Sequence, residues 1–338
     1  MEAVIWTEVA QGVIKTIGAL IVLGIVIVEM DNGFADILSI GNADHKFSLG
    51  SYSLTDFSTS TFWVVFLYGF FINLNNFGID QNYVQRYHTA KNAKEASRSI
   101  WLCVYWYFPV SMLFFLIGTA LYAYFQQHPE LIESVKQQVA LDKGVTVQAL
   151  TPADYGDKVL PHFMVTKVPH GLLGLIIAAI LSAAMSTISS GMNSSATVFL
   201  KDIYQRYIDK NISPKKELRV LYLSTATMGV LAIVTGIVMI GVKSILDLWW
   251  QLAGIFAGGM LGLFLLGMIA RSAGNAAAKL ATVIGVLVIL WMTFSYRIPD
   301  QYAVLRNTLH MNMVIVIGTL TIFLSGVLIS RFKKSPAH

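Results

Sequence analysis

Apolar runs long enough to cross a lipid bilayer recur along this chain. A helix needs about 20 residues to span roughly 30 Å of hydrocarbon, and eight runs of about that length alternate with polar stretches. With 55% of its residues hydrophobic, the chain is too apolar for a water-soluble protein with one core. With only 13% charged, it has too few charges for a disordered protein. The sequence therefore predicts an all-α polytopic membrane protein with about eight transmembrane helices. The runs lie near residues 3–28, 60–77, 100–124, 171–198, 220–241, 245–270, 277–294 and 311–329.

Basic side chains are unevenly divided between the loops. Fifteen of the 24 lysines and arginines follow the second, fourth, sixth and eighth runs, whereas eight lie in the alternate loops. The positive-inside rule then predicts a multi-pass protein of the inner (plasma) membrane with both termini of this chain in the cytoplasm. This topology explains the net charge of +5 without a nucleic-acid partner. The long polar stretches 31–59 and 126–167 are predicted outside, the second with a short surface helix around 129–141.

The segment 183–199 carries seven hydroxyl side chains and an asparagine inside an apolar run. Lipid cannot satisfy these groups, so they must face other helices or water. One interpretation is close helix packing, in which hydroxyls bond back to carbonyls one turn earlier. The other is a site for a hard cation, built from hydroxyls and from carbonyls that an interruption near Gly191 would free. Spacing alone leaves both open. The residues that share one face are Ser182, Ser186, Ser189, Ser190, Asn193 and Thr197.

Two further polar features lie at membrane depth. Glu8 is about one turn into the first run, where a carboxylate typically marks an ion or proton path. Lys15 lies on the same face, so an internal Glu8 to Lys15 contact is the alternative role. Near the end of the second run, Asn73, Asn75 and Asn76 need partners, either a polar ligand or each other, and an ending helix explains them equally well.

Five sequence blocks resemble the sodium:solute symporter family, especially its bacterial sodium/sialic acid and sodium/galactose members. They keep the family order and extend over nearly the whole chain. The resemblance implies part of a leucine-transporter-type fold, in which two five-helix inverted repeats bind solute and sodium near mid-membrane. The blocks are AVIWTEVAQG, DQNYVQRY, GTALYAYFQQHPEL, GLIIAAILSAAMSTISSGMNSSATVF followed by DIYQRY, and GGMLGLFLLG.

The resemblance also implies a domain organisation. Residues 1–338 would form a single transmembrane domain, with the last helix of the first repeat at 3–28 and the second repeat at about 60–270. Extra C-terminal helices would lie at 277–294 and 311–329. Since family members are longer, N-terminal helices of the same polypeptide are expected to be missing from this chain, which is then not expected to transport alone.

Two sodium sites are implied on the Ser-rich segment. The common site would take Ala183, through its carbonyl, Ser186 and Thr187, with further ligands from the absent helices. The second site, found in sialic acid members, uses an aspartate in a WTD motif that reads WTE here. The longer glutamate must fold back, or its helix must shift, to reach an ion. The implied residues of the second site are Glu8, Ser186, Ser189 and Ser190.

On the solute side, four positions are implied by the resemblance. Asn73 falls where galactose members bind sugar with an asparagine. Asn76 and Phe77 fall where those members have a gating tyrosine and its aromatic neighbour, and Tyr105 falls where a lysine reaches the sugar. These departures argue against galactose in particular.

The expected function is therefore sodium-coupled secondary active symport that imports a small polar organic solute, such as a sugar, sialic acid or related carboxylate, by alternating access. Sodium is the expected ion, and the solute and the lipid bilayer are the expected partners. Two alternatives stay open: a non-transporting fragment or membrane sensor or scaffold, and a proton-coupled symporter that uses Glu8. An enzyme is not expected, because the sequence contains no HExxH, CxxC, GxSxG or P-loop motif.

Overall fold

The computed structural model describes residues 2–240, 245–270, 273–295 and 298–332. Within these ranges all regular elements are helical, and eight helices are long and apolar enough to cross a membrane. The eight predicted spans are thereby confirmed, although the predicted end of the fifth, at Gly241, lies outside the described residues. The spans are Trp6–Glu29, Phe62–Ile79, Ala93–Gln127, His170–Ile208, Pro214–Val238, Leu252–Ile269, Asn275–Phe294 and Met313–Phe332.

Shorter helices lie in the two long polar stretches between the spans. The predicted surface helix is confirmed, with a proline in its first turn and a left-handed glycine, Gly144, after its end. Helices α2 and α7 lie in stretches for which no helix was predicted. In chain order the helices are α1 Glu2–Glu29, α2 Phe34–Ala43, α3 Phe62–Ile79, α4 Gln81–Tyr87, α5 Ala93–Gln127, α6 Pro129–Lys143, α7 Pro152–Lys167, α8 His170–Val198, α9 Pro214–Val238, α10 Ile245–Ile269, α11 Asn275–Phe294 and α12 Met313–Phe332.

The chain divides into two compact units. The first comprises Met1–Ser48 and Gln85–Ser244. Its core forms where α1 packs against α5 and α8, with α2 and α7 packed at one end. The fully buried side chains of this core include Val26, Tyr124 and Phe163. This unit contains α1 and the Ser-rich part of α8, and therefore positions the candidate cation sites.

The second unit comprises Leu49–Val84 and Ile245–His338, with α12 packed between α10 and α11. Glycines at every fourth position of α10 face α12, a pattern that lets membrane helices approach closely. A Cβ atom built on Gly258 would lie 3.2 Å from the Cα of Ile315. The Thr319 hydroxyl donates to the Gly258 carbonyl at 3.3 Å, across the same contact. The glycines of the series are Gly254, Gly258 and Gly262.

Candidate cation and solute sites

Helix α8 runs through the Ser-rich segment without a break. It extends from His170 to Val198, and π-helical turns continue it over Phe199–Ile208. The interruption considered near Gly191 is wrong, since this glycine lies inside a regular helix. Because carbonyls in an intact helix already accept backbone hydrogen bonds, a cation here must rely mainly on side-chain oxygens.

Three oxygens come together at the position where the sequence predicts the common sodium site. Ser186 Oγ donates to the carbonyl oxygen of Ala183 at 2.9 Å, and Thr187 Oγ1 donates to the same oxygen at 3.1 Å. These are the back-bonds expected from the packing interpretation. Each hydroxyl donates its only hydrogen and keeps lone pairs that can face a cation. Since hard cations take about six oxygen ligands or more, this cluster is a partial ligand set.

The second predicted cluster forms around the carboxylate of Glu8. Ser190 Oγ donates to Glu8 Oε1 at 2.7 Å, and Arg86 Nη2 donates to the same oxygen at 2.9 Å. Arg86 Nη2 also lies 3.4 Å from Ser190 Oγ. Among the described residues, Ser189 makes no hydrogen bond to this cluster. Glu8 and Ser190 are thus brought together as predicted, with an arginine that was not included in the predicted site.

Lys15 does not pair with Glu8; among the described residues, the ion-pair partner of Glu8 is Arg86. Lys15 instead lines an apolar cavity of about 230 Å³ between α1, α5, α7 and α8, and Ala183 lines the same cavity. The internal Glu8 to Lys15 contact considered from the sequence is therefore wrong.

Helix α4 is attached to α8 by a second contact next to Arg86. Gln85 Nε2 donates to Ser194 Oγ at 2.8 Å, and Ser194 is buried, with 4% of its surface exposed. Ser194 follows Ser190 by one turn of α8. Sequence reasoning missed both α4 residues, although they lie in the DQNYVQRY block, because Arg86 entered it only as one of the fifteen basic residues counted after the even-numbered runs.

Three of the four predicted solute residues lie on α3 in the second unit. Asn73 is exposed and donates to the Gly69 carbonyl at 2.7 Å, and Asn76 is partly buried. The ring of Phe77 lies 5.1 Å from that of Tyr83, with an angle of 56° between the planes. The helix ends at Ile79, as the ending-helix interpretation of the asparagines allowed.

The remaining polar groups differ in burial. Asn75 is buried, and its Oδ1 has no hydrogen-bond partner among the described residues. Tyr105, on α5 in the first unit, is 69% exposed, and its ring lies 6.0 Å from that of Trp101. A buried amide oxygen without a partner requires a polar group, so Asn75 belongs with the candidate solute residues even though it was left out of the predicted set.

Comparisons with known proteins give a consistent result. The sequence model of the Sodium:solute symporter family matches residues 1–285. The Sodium/sialic acid symporter NanT of Aliivibrio fischeri is 31% identical over 324 residues, 95% of this chain and 60% of that protein. The Sodium/sialic acid symporter SiaT of Proteus mirabilis is 29% identical over 324 residues, 95% of this chain and 61% of that protein.

A solved structure is also similar. It is described as the substrate-bound outward-open state of a Na⁺-coupled sialic acid symporter, with a TM-score of 0.79 and 28% identity. The match covers 100% of this chain and 63% of that one. This likeness confirms the predicted fold class, an all-α membrane protein with part of a leucine-transporter-type fold. The chain spans about three fifths of the length of the relatives it matches.

Proposed function

Because this chain belongs to the sodium:solute symporter family, we propose that its whole protein imports a small polar organic solute together with sodium. The two named relatives and the solved structure are sodium-coupled sialic acid symporters by description, which favours sialic acid or a related carboxylate or sugar as the solute. We place α1 at the end of the first repeat, α3 to α10 in the second, and α11 and α12 after it. The basic loops support a plasma-membrane location with both termini of this chain in the cytoplasm.

The observation that carries this proposal is the oxygen cluster on α8. The hydroxyls of Ser186 and Thr187 lie within 3.1 Å of the Ala183 carbonyl oxygen, on a helix that crosses the membrane. We assign these three residues to a sodium ion whose other ligands come from helices that this chain does not contain. Glu8, Ser189 and Ser190 are assigned to a second cation site.

For the solute we assign the α3 residues Asn73, Asn75, Asn76 and Phe77, together with Tyr105 on α5. Amides at membrane depth suit the hydroxyl and carboxylate groups of a sugar acid, because they donate and accept hydrogen bonds. An aromatic ring such as Phe77 suits the apolar face of such a solute.

Coupling needs no chemical step by the protein. Sodium favours the arrangement in which its ligands are assembled, and it increases solute affinity to the extent that the solute prefers the same arrangement. Typical coupling free energies are about 1–3 kcal/mol, which corresponds to roughly 5- to 150-fold in affinity. Alternating access is then rocking of one repeat against the other around the bound solute.

Uptake of labelled sialic acid by the full-length protein in proteoliposomes tests the proposal. An inward sodium gradient should drive uptake, and the double variant S186A/T187A should lose this stimulation. The matched control is T197A, since Thr197 makes the same kind of back-bond, 2.8 Å to the Asn193 carbonyl, elsewhere on α8. Undiminished sodium dependence in S186A/T187A would contradict the site assignment. Uptake driven equally well by a pH gradient would indicate proton coupling, and solute binding without uptake would indicate a sensor.

A further inference from the structure

Residues 201–219, which we call the basic segment, concentrate positive charge where one span ends and the next begins. The segment carries six basic and three acidic side chains, a net charge of +3. It covers the end of the span His170–Ile208, the short connection 209–213 and the first turns of the span Pro214–Val238. Since a helix rises about 1.5 Å per residue, Arg219 lies only roughly 8 Å along α9 from its start. The segment therefore lies at a membrane surface.

Two ion pairs hold the basic segment together and use two of its six cations. Lys201 Nζ lies 2.7 Å from Glu217 Oε1, and Gln205 Nε2 donates to the same oxygen at 3.2 Å. Lys216 Nζ lies 2.8 Å from Asp209 Oδ2. The π-helical end of α8 is thereby tied to the start of α9, and two of the three carboxylates are neutralised within the segment.

Four cations of the segment are left over by this pairing. All four side chains are exposed, and none forms an ion pair with any residue that the structure describes. The third acidic residue, Asp202, is exposed and pairs with none of them. The whole net charge of +3 is therefore presented to the surroundings of the protein, where it attracts anions. The four cations are Arg206, Lys210, Lys215 and Arg219.

Apolar side chains are exposed beside these cations. Tyr207 is 74% exposed, Ile208 64% and Leu218 48%. The guanidinium carbon of Arg206 lies 5.6 Å from the centre of the Tyr207 ring. Exposed aromatic and aliphatic side chains next to lysine and arginine suit the membrane interface, where rings lie at the level of the headgroups and cations reach the phosphates. A soluble anion would leave this apolar surface in water, so the combination favours a lipid.

We propose that the basic segment binds anionic phospholipid, with the lipid phosphate held by the four unpaired cations. Clusters of four or more basic residues next to a membrane span attract anionic lipid, and arginine in particular matches the geometry of a phosphate group. The two ion pairs have a separate role, because they fix the shape of the segment and leave the other cations free. This interaction surface goes beyond sodium-coupled transport, and it depends on neither the cation sites nor the solute site.

Lipid titration with a local reporter tests the inference. An environment-sensitive dye is attached to N211C in the full-length protein, with its other cysteines changed to serine, in neutral detergent micelles. Asn211 is exposed in the connection between the two spans. Phosphatidylglycerol should shift the dye emission and saturate at a lower concentration than zwitterionic phosphatidylcholine. Added salt should raise the half-saturating concentration of phosphatidylglycerol, because exposed charges are screened.

Two matched variants separate the unpaired cations from the paired ones. K210Q/K215Q removes two unpaired cations, and it should raise the half-saturating concentration of phosphatidylglycerol by about 25-fold, about fivefold for each charge near the membrane surface. K201Q/E217Q removes one ion pair and keeps both the net charge and the four unpaired cations. Its half-saturating concentration should stay within about twofold of the wild-type value.

Three results would overturn the inference. The first is equal half-saturating concentrations for phosphatidylglycerol and phosphatidylcholine. The second is an unchanged value in K210Q/K215Q. The third is displacement of the lipid by deacylated phosphatidylglycerol, the same headgroup without its acyl chains, which would indicate a site for a soluble phosphate. Since the assay contains neither sodium nor solute, each of these results leaves the proposed transport function untouched.

Discussion

The contact between α10 and α12 makes a quantitative prediction for the substitution Gly262→Ala. A Cβ atom at Gly262 would lie 2.8 Å from the Cβ of Ile322 and 2.8 Å from the carbonyl oxygen of Thr319. Since carbon atoms pack at about 3.5–4.0 Å, the methyl group overlaps its neighbours by roughly 0.7 Å or more. One of them is backbone, which cannot rotate away, so α12 must move. Overpacking costs typically about 1–3 kcal/mol, and alanine regains about 1 kcal/mol of helix propensity. We therefore expect a net loss of about 1 kcal/mol, and at most about 2 kcal/mol, in the free energy of unfolding.

The assay is reversible unfolding in detergent, with Gly259→Ala as the matched control. Gly259 lies on the same helix, and a methyl group placed there would have no heavy atom within 4 Å outside its local surroundings. The control should therefore be as stable as the wild type or more stable by up to about 1 kcal/mol, the gain in helix propensity. If G262A unfolds at the same point as G259A, the close approach of α10 and α12 is refuted.

Two predictions concern the long polar loops between the spans. Hydrogen bonds, the strongest from Thr59, lower the pKa of Asp56 from 3.8 to about 2, so the stabilisation they give is complete above about pH 4 and lost as the pH falls toward 2. D56N should therefore reduce the fall in melting temperature between about pH 4 and pH 2. A D56N protein whose melting temperature depends on pH as that of the wild type does would contradict this prediction. Asp154 caps α7, and its carboxylate lies 2.8 Å from Lys143 Nζ with 6% of the side chain exposed. D154A should lose about 1–3 kcal/mol by thermal unfolding, whereas D142A, at an exposed site, should lose little.

Hydropathy was enough to predict the eight spans, because a bilayer demands a long apolar helix wherever the chain crosses it. It could not predict helix ends that depend on capping. Helix α5 begins at Ala93, within a polar stretch and seven residues before the predicted start. It begins there because Asn92 caps it: Asn92 Oδ1 accepts a hydrogen bond from the Glu95 amide at 3.0 Å. Helix α2 lies in a loop with no long apolar run, and its packing against α5 is a tertiary contact.

The candidate site was predictable only where its residues share one helix. The helical period brought Ser186 and Ser190 onto one face of α8, but the choice of partners depends on other helices. Arg86 is 78 residues from Glu8 in the chain, so no local spacing rule relates them. Lys15 lies on the same helix face as Glu8, which is the spacing that a contact within one helix requires, yet the two side chains do not pair. A contact along one helix competes with any stronger partner that tertiary packing supplies, and here that partner of Glu8 is Arg86.

The most direct test of a sodium ion on α8 is the dissociation constant for sodium, measured on the full-length protein with Thr187→Ala beside Thr197→Ala. Both substitutions remove one hydroxyl that bonds to a carbonyl four residues earlier, at 3.1 Å and 2.8 Å respectively. Loss of an ion ligand should weaken sodium binding by tenfold or more in T187A and leave it unchanged in T197A, a difference of about 1.4 kcal/mol. Equal sodium affinities in the two variants would contradict the assignment.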